Sequence, residues 1–146
     1  MLIDSANMED VKKRIRNAKE KPVIIKARDD EFNRLVLEYG KFDVLLCVES
    51  GRRRDKLKQL DSGLNEVLAR IAAKNNVAIG IDLAELAGLD KKDKAVRLAR
   101  IKQNITLCRK AGARLALVNC ADKIEGFSLL ISLAASTKQA KEAIYF

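Results

Sequence analysis

The chain has 146 residues, 48% apolar and 34% charged, and Lys plus Arg outnumber Asp plus Glu by 29 to 20, a net charge of +9. This composition excludes a disordered chain, and no apolar run approaches the roughly 18 residues that cross a bilayer. Histidine is absent, which excludes a histidine-rich zinc or iron site and histidine acid–base catalysis. An excess of cations points to a polyanionic partner, with RNA or DNA first.

In chain order, Leu2 to Ser5 reads as a short strand. Met8, Val11, Ile15 and Ala18 recur at helical spacing, so 8–19 is a predicted helix with Ser5 or Asn7 as its cap. Val23 to Ala27 is a strand, and Asp29 and Asp30 open a helix that carries Phe32, Leu35, Val36 and Tyr39 to a stop at Gly40. Val44 to Val48 is an uninterrupted apolar run, the mark of a strand buried on both faces. A cationic loop follows. Ser62 is then expected to cap a helix with Leu64, Val67, Leu68, Ile71 and Ala72 on one face, ending at Asn75 and Asn76.

Val77 to Leu83 is the next buried strand. Gly88 and Asp90 open a long helix to about Ala111, with Leu98, Ile101, Ile105 and Cys108 as its stripe and Gly112 as its stop. Leu115 to Val118 is a fifth strand, and two apolar helices at about 124–135 and 137–145 finish the chain. Strands alternating with helices predict one α/β domain over 1–146, a parallel sheet with helices outside and about five clear strands. Periodicity leaves open whether the sheet is a shortened TIM-type barrel or an open doubly wound sheet. Cys47, Cys108 and Cys120 are odd in number and widely spaced, which predicts reduced, buried thiols and no zinc site. The N-terminus has early acids and no long apolar stretch, so no signal peptide is expected and the expected address is cytoplasmic.

Two cation clusters stand out. The stretch GRRRDKLKQLD places Arg52, Arg53, Arg54, Lys56 and Lys58 between a strand and a helix start. Free amides at that helix start would add a second device for attracting anions. The long helix and its exit carry Lys91, Lys92, Lys94, Arg97, Arg100, Lys102, Arg109, Lys110 and Arg114 against the single acid Asp93. A solvated helix ordinarily mixes signs to gain pairs one turn apart, so a helix of one sign suits a polyanion. With aromatic residues at 4%, backbone contact is expected rather than base stacking on rings. Carboxylates also lie near the predicted strand ends: Asp4, Glu49, Asp82 and Asp122, with Asn119 beside them. Asp4, Glu49 and Asp82 define the alternative, a Mg²⁺- or Mn²⁺-dependent phosphoesterase. No dinucleotide, P-loop or nucleophile-elbow motif is present. A third possibility is an interaction module that uses Phe127, Leu129, Leu130, Tyr145 and Phe146.

The stretch DSGLNEVLARIAAKNNVAIGIDL, followed by RLARIKQNITLCRKAGARLALVNCA, resembles the archaeal ribonuclease P protein component 3 family. Gly63, Leu64, Asn65, Val67, Leu68, Ala69, Val77, Ala78, Gly80 and Leu83 carry the first part of the likeness. Asn104, Leu107, Cys108, Arg109, Lys110 and Ala121 carry the second. The chain departs from the family pattern in a shorter N-terminal part, in Asn119-Cys120-Ala121 where the pattern has S-x-A, and in DKIEGFSLL before its last helices. The resemblance implies a barrel similar to PHP-type phosphoesterases, N-terminally shortened, with no catalytic residue, metal or cofactor of its own. It implies an RNA-binding subunit of ribonuclease P, whose RNA removes the 5′ leader of precursor tRNA. Ribonuclease P RNA and the component 2 protein are the implied partners, precursor tRNA an indirect one, and a membrane none. The expected RNA-binding residues are Arg52, Arg53, Arg54, Lys56, Lys58, Asn65, Lys91, Lys92, Lys94, Arg97 and Arg100.

Overall fold

A computed structural model describes residues 1–51 and 53–146; Arg52 lies outside the described residues. The elements are β1 (Leu2–Ile3), α1 (Met8–Asn17), β2 (Ile24–Lys26), α2 (Asp30–Tyr39), β3 (Val44–Leu46), α3 (Glu66–Lys74) and β4 (Ala78–Asp82). Then come α4 (Leu83–Ala87), α5 (Lys91–Ala111), β5 (Leu115–Val118), α6 (Lys123–Ser132), α7 (Thr137–Glu142) and β6 (Ile144–Tyr145).

Short polar side chains set the helix starts. Asn7 accepts from the Glu9 and Asp10 amides, Asp29 from Phe32, and Asp90 from Asp93, so each satisfies a donor the helix leaves unpaired. Helix α3 corrects the sequence reading. Its cap is Asn65, which accepts from the Leu68 amide, three residues beyond the expected Ser62. Ser62 is buried instead and holds the loop. The apolar run from Val77 also divides differently, because Asp82 accepts from the Ala84 and Glu85 amides and turns the chain into the unexpected α4. A sixth strand was hidden in the C-terminal stretch read as helix. There, α7 ends at Glu142 and extended backbone at Ala143 leads into β6.

The strand order is β1-β2-β3-β4-β5-β6, every neighbouring pair parallel. A doubly wound sheet reverses its strand order at a switch point. Consecutive order means that every right-handed crossover steps the same way, which is barrel-type winding. The cores agree. One large cluster joins the helices to Ile3, Ile25, Leu45, Ile79 and Leu117 on one face of the sheet. The buried members of a second cluster are Ile24, Val44, Leu46, Cys47, Ala78 and Ala116, all on the other face or at its strand ends. That inner face is narrow, and a Cβ on Gly80 would stand 2.5 Å from Cγ1 of Val44. Among the described residues β1 and β6 do not pair, so the sheet is an arc of six strands, one more than the five expected.

The C-terminal apolar segments belong to this core. Leu130 and Ala140 are fully buried, and the Tyr145 hydroxyl donates to the Ala140 carbonyl at 2.7 Å. The reading of α6 and α7 as a partner-covering surface is therefore replaced by their packing on the sheet.

Gly63 fixes where the long loop after β3 rejoins the fold. Its φ is +77°, and a Cβ would run into the Val48 carbonyl oxygen. Gly63→Ala is therefore expected to lower stability by about 2 kcal/mol or more, read as a fall in the urea midpoint. An unchanged midpoint would contradict this role.

Candidate functional site

The loop between β3 and α3 leaves the C-terminal end of the sheet and is held from below by α5. One face of α5 carries the stripe Ile101, Ile105 and Cys108, and Arg100 and Asn104 are buried on it as well. Arg100 reaches up with all three side-chain nitrogens engaged. Nε and Nη2 meet the Asp55 carboxylate at 3.0–3.3 Å, Nη1 donates to the Glu49 carbonyl at 3.1 Å, and Nη2 to the Arg53 carbonyl at 3.2 Å. Gln103 donates to the Leu60 carbonyl and the Ser62 hydroxyl, both at 3.1 Å, and Asn104 to the Ser62 carbonyl at 3.0 Å. Spacing of three and four residues puts these groups on one helical face, so one rigid helix grips both ends of the loop.

Arg53 closes it from the other side. Its side chain is only 8% exposed and ion-pairs with Asp30 at 2.9 Å and Asp61 at 3.1 Å. Its Nε donates to the Val48 carbonyl at 3.0 Å. Asp55 also accepts from the Asp61 amide at 2.8 Å, which ties the loop's base. The tip is a tight turn, with Lys56 and Gln59 exchanging backbone hydrogen bonds and Leu57 fully exposed.

The sequence-predicted cations therefore fall into two groups. Arg53, Arg97 and Arg100, expected to contact RNA, have their guanidinium groups turned inward onto carboxylates, and Arg53 and Arg100 onto backbone carbonyls as well. Arg54, Lys56 and Lys58 are exposed and form no ion pair among the described residues. Lys91 and Lys92 are exposed and Lys94 half-buried at the start of α5. A cleft of about 320 Å³ lined by Gly51, Leu89, Asp93, Val96, Arg97 and Arg100 separates the loop's start from that part of α5. Asn65 is exposed, with its Oδ1 used as the α3 cap. Further along, Arg109 and Arg114 donate to the carbonyls of Ala134 and Glu142, away from the loop.

Beneath the loop lies a mixed-charge cluster at the mouth of the sheet. Glu49 is 1% exposed and meets Arg97 at 3.3 Å, while Arg97 also meets Glu85 at 3.1 Å. Lys26 pairs with Glu85 at 3.4 Å. Burial raises the Glu49 carboxyl above its usual range, although Arg97 opposes the shift. Burial would weaken the Arg97 cation, but Glu49 and Glu85 outweigh it and hold the charge more firmly. Cys47 takes a left-handed φ of 61°, and its buried thiol is pushed up by desolvation and then by Glu49. Cys47 and Cys108 are buried free thiols as expected, whereas Cys120 is only half-buried.

The structure does not assemble Asp4, Glu49 and Asp82 as metal ligands. Asp4 pairs with Arg28 at 2.7 Å, Glu49 with Arg97, and Asp82 caps α4 and accepts from Asn119 at 2.9 Å. Among the described residues the group that comes within 4.8 Å is Cys47, Asp82 and Glu85. There Lys26 and Arg97 already pair with the carboxylate of Glu85. Sequence reading missed Asp30, Asp55, Asp61, Glu85 and Gln103. The available signals were the aspartates at 55 and 61 that bracket KLKQL and the polar Gln103-Asn104 pair in the stripe of α5.

Fold and site together define a singly wound, barrel-type α/β chain whose cationic loop is neutralised at its base and charged at its tip. Within that class it is related to the archaeal ribonuclease P protein component 3 family. It is 30% identical over 126 residues to Ribonuclease P protein component 3 of Methanothermobacter thermautotrophicus, a match covering 85% of this chain and 49% of the relative. It is 35% identical over 107 residues to the protein of the same name from Methanosarcina acetivorans, covering 73% of this chain and 41% of that one. The chain thus spans about half the length of the curated relatives it matches. A chain in the cryo-EM structure of archaeal Ribonuclease P with mature tRNA superposes with a TM-score of 0.78 at 25% identity, covering 97% of this chain and 62% of that one. No protein-family model matches. Among the described residues no helix is long and apolar enough to cross a membrane.

Two outcomes test the loop's anchoring. Arg100→Met removes charged hydrogen bonds to Asp55 and two carbonyls and is expected to cost about 2 kcal/mol or more, measured by chemical denaturation. The second test is pH-dependent. The hydrogen bond from Arg100 holds the Asp55 carboxyl below its usual range. Its stabilisation is therefore complete above the unfolded aspartate value of about 3.9 and is lost as pH falls through the lower folded value. The difference in thermal midpoint between wild type and Asp55→Asn is expected to be constant from pH 7 to about 5 and to shrink in stronger acid. A gap that closes already near pH 6 would show that another group governs the loop.

Proposed function

We propose that the chain is a non-catalytic, RNA-binding subunit of ribonuclease P, acting as one α/β unit in the cytoplasm. The RNA removes the 5′ leader of precursor tRNA, and this chain supports the RNA's catalytic part. The observation that carries the reading is the division of charge in the loop. Arg53 and Arg100 neutralise its base, so Arg54, Lys56 and Lys58 stand free on a fixed platform. Lys91, Lys92 and Lys94 extend that surface across the cleft beside Gly51. Cations held in place but unpaired suit phosphate, which gives affinity and register rather than sequence choice. Similarity to proteins named Ribonuclease P protein component 3 supports this particular assembly. The same similarity supports pairing with the component 2 protein, for which co-elution of the two purified chains is the expected result.

The test is a titration with ribonuclease P RNA at several salt concentrations. Wild type is expected to bind with log K falling linearly against log salt. A variant with Arg54, Lys56 and Lys58 changed to Ala is expected to bind more weakly, with a slope shallower by roughly 2 to 3. Equal affinity and slope in both proteins would overturn the loop's role, and a flat salt dependence in wild type would overturn the reading as a whole.

A further inference from the structure

A cavity of about 460 Å³ lies between the loop and the junction of α3 with α5. Phosphate contact leaves it unexplained. Its apolar lining is Leu60, Leu64 and Leu107, and Arg54 and Lys56 stand among its walls with their charges unpaired among the described residues. Its other charged walls are acidic, among them Asp61 and Glu66. Both carboxylates have capacity left. Asp61 accepts from Arg53 and from the Gly63 amide through Oδ1 alone, so its second oxygen has no partner among the described residues. Glu66 has only a long 3.8 Å pairing with exposed Arg70.

Carboxylates repel phosphate, so the cavity suits a neutral group whose phosphates stay with the cations. The cavity is open to solvent and mostly polar, with three leucines among its walls, and has room for one nucleotide base. In single-stranded RNA, unstacked bases lie against apolar or guanidinium planes and are read by hydrogen bonds along the Watson–Crick edge. Guanine is the base whose edge carries two adjacent donors, the N1–H and the N2 amino group, which match a carboxylate in a two-pronged fit. Adenine and cytosine place an acceptor next to their amino group, and uracil flanks its one donor with two acceptors.

Resting on the RNA-binding reading above, we propose that this cavity is a single-nucleotide pocket for an unpaired guanosine. Asp61 and Glu66 accept from its base edge, Arg54 packs on the ring, and Lys56 meets its phosphate. The loop would then contribute base selection at one position beside its general hold on the backbone.

The experiment uses the full chain and fluorescence anisotropy with labelled pentaribonucleotides of uridine carrying guanosine, adenosine or uridine at the centre, next to ribonuclease P RNA. The guanosine oligonucleotide is expected to bind about tenfold more tightly than the other two, one good base contact's worth of discrimination. In Glu66→Gln, an exposed position in the first turn of α3, that ratio is expected to fall close to one. The ratio is internal to each protein, so a general loss of affinity does not alter it. Equal affinity for all three bases overturns the pocket, as does a preference that survives in Glu66→Gln. Oligonucleotides that fail to bind while ribonuclease P RNA binds overturn it too, and leave the RNA reading standing. Failure of ribonuclease P RNA itself to bind overturns both.

Discussion

Arg100 is the constraint on which the rest of the site depends. A cationic loop left to itself would spread, because like charges repel and a long excursion has much conformational entropy to lose. Here the buried guanidinium ties together Glu49 at the loop's start, Arg53 and Asp55 in its middle, and the body of α5. The carbonyls it caps would otherwise be poorly satisfied on an irregular segment close to the core. Arg53 repeats the device at the opposite edge, where it gathers Val48, Asp30 and Asp61. One of the loop's own cations, Arg53, and one from α5, Arg100, are thus used to position the others.

This division also accounts for the one-sign character of α5. A helix with so many cations would gain little from its own sequence neighbours. The fold supplies the missing acids from elsewhere, namely Glu49 and Glu85 for Arg97 and Asp55 for Arg100. Glu49 and Asp55 lie in the loop after β3 and Glu85 on α4 just beyond β4, and consecutive parallel winding brings these strand exits to one mouth. A mouth filled by internal ion pairs is poorly suited to metal chemistry. It is well suited to carrying a surface, and the surface it carries holds the unpaired cations of the loop and of the start of α5.

Strands, helices and their order were legible because apolar runs and helical stripes report burial directly, as at Val44 to Val48 and at Ile101, Ile105 and Cys108. The resemblance rested on the same region, and Gly63 shows why it is specific: only glycine fits a left-handed turn pressed against the Val48 carbonyl. What stayed hidden was tertiary. Nothing local distinguishes Arg53 from Arg54, yet one is enclosed by two aspartates and the other faces solvent. The two-residue β6 and five-residue α4 were too short to impose a period of their own and merged with apolar neighbours. The cap of α3 moved from Ser62 to Asn65 because Gln103 and Asn104, some 40 residues away, hold Ser62 in the loop.

Amide hydrogen exchange of the chain, free and bound to ribonuclease P RNA, tests the central claim most directly. The account predicts added protection over 54–60 and the first turn of α5. The base of the loop at 61–64 should be well protected already in the free chain, because α5 holds it there. Protection confined to α1, α6 or the distal end of α5, or a loop base that becomes ordered only when RNA is added, would contradict a pre-formed cationic platform.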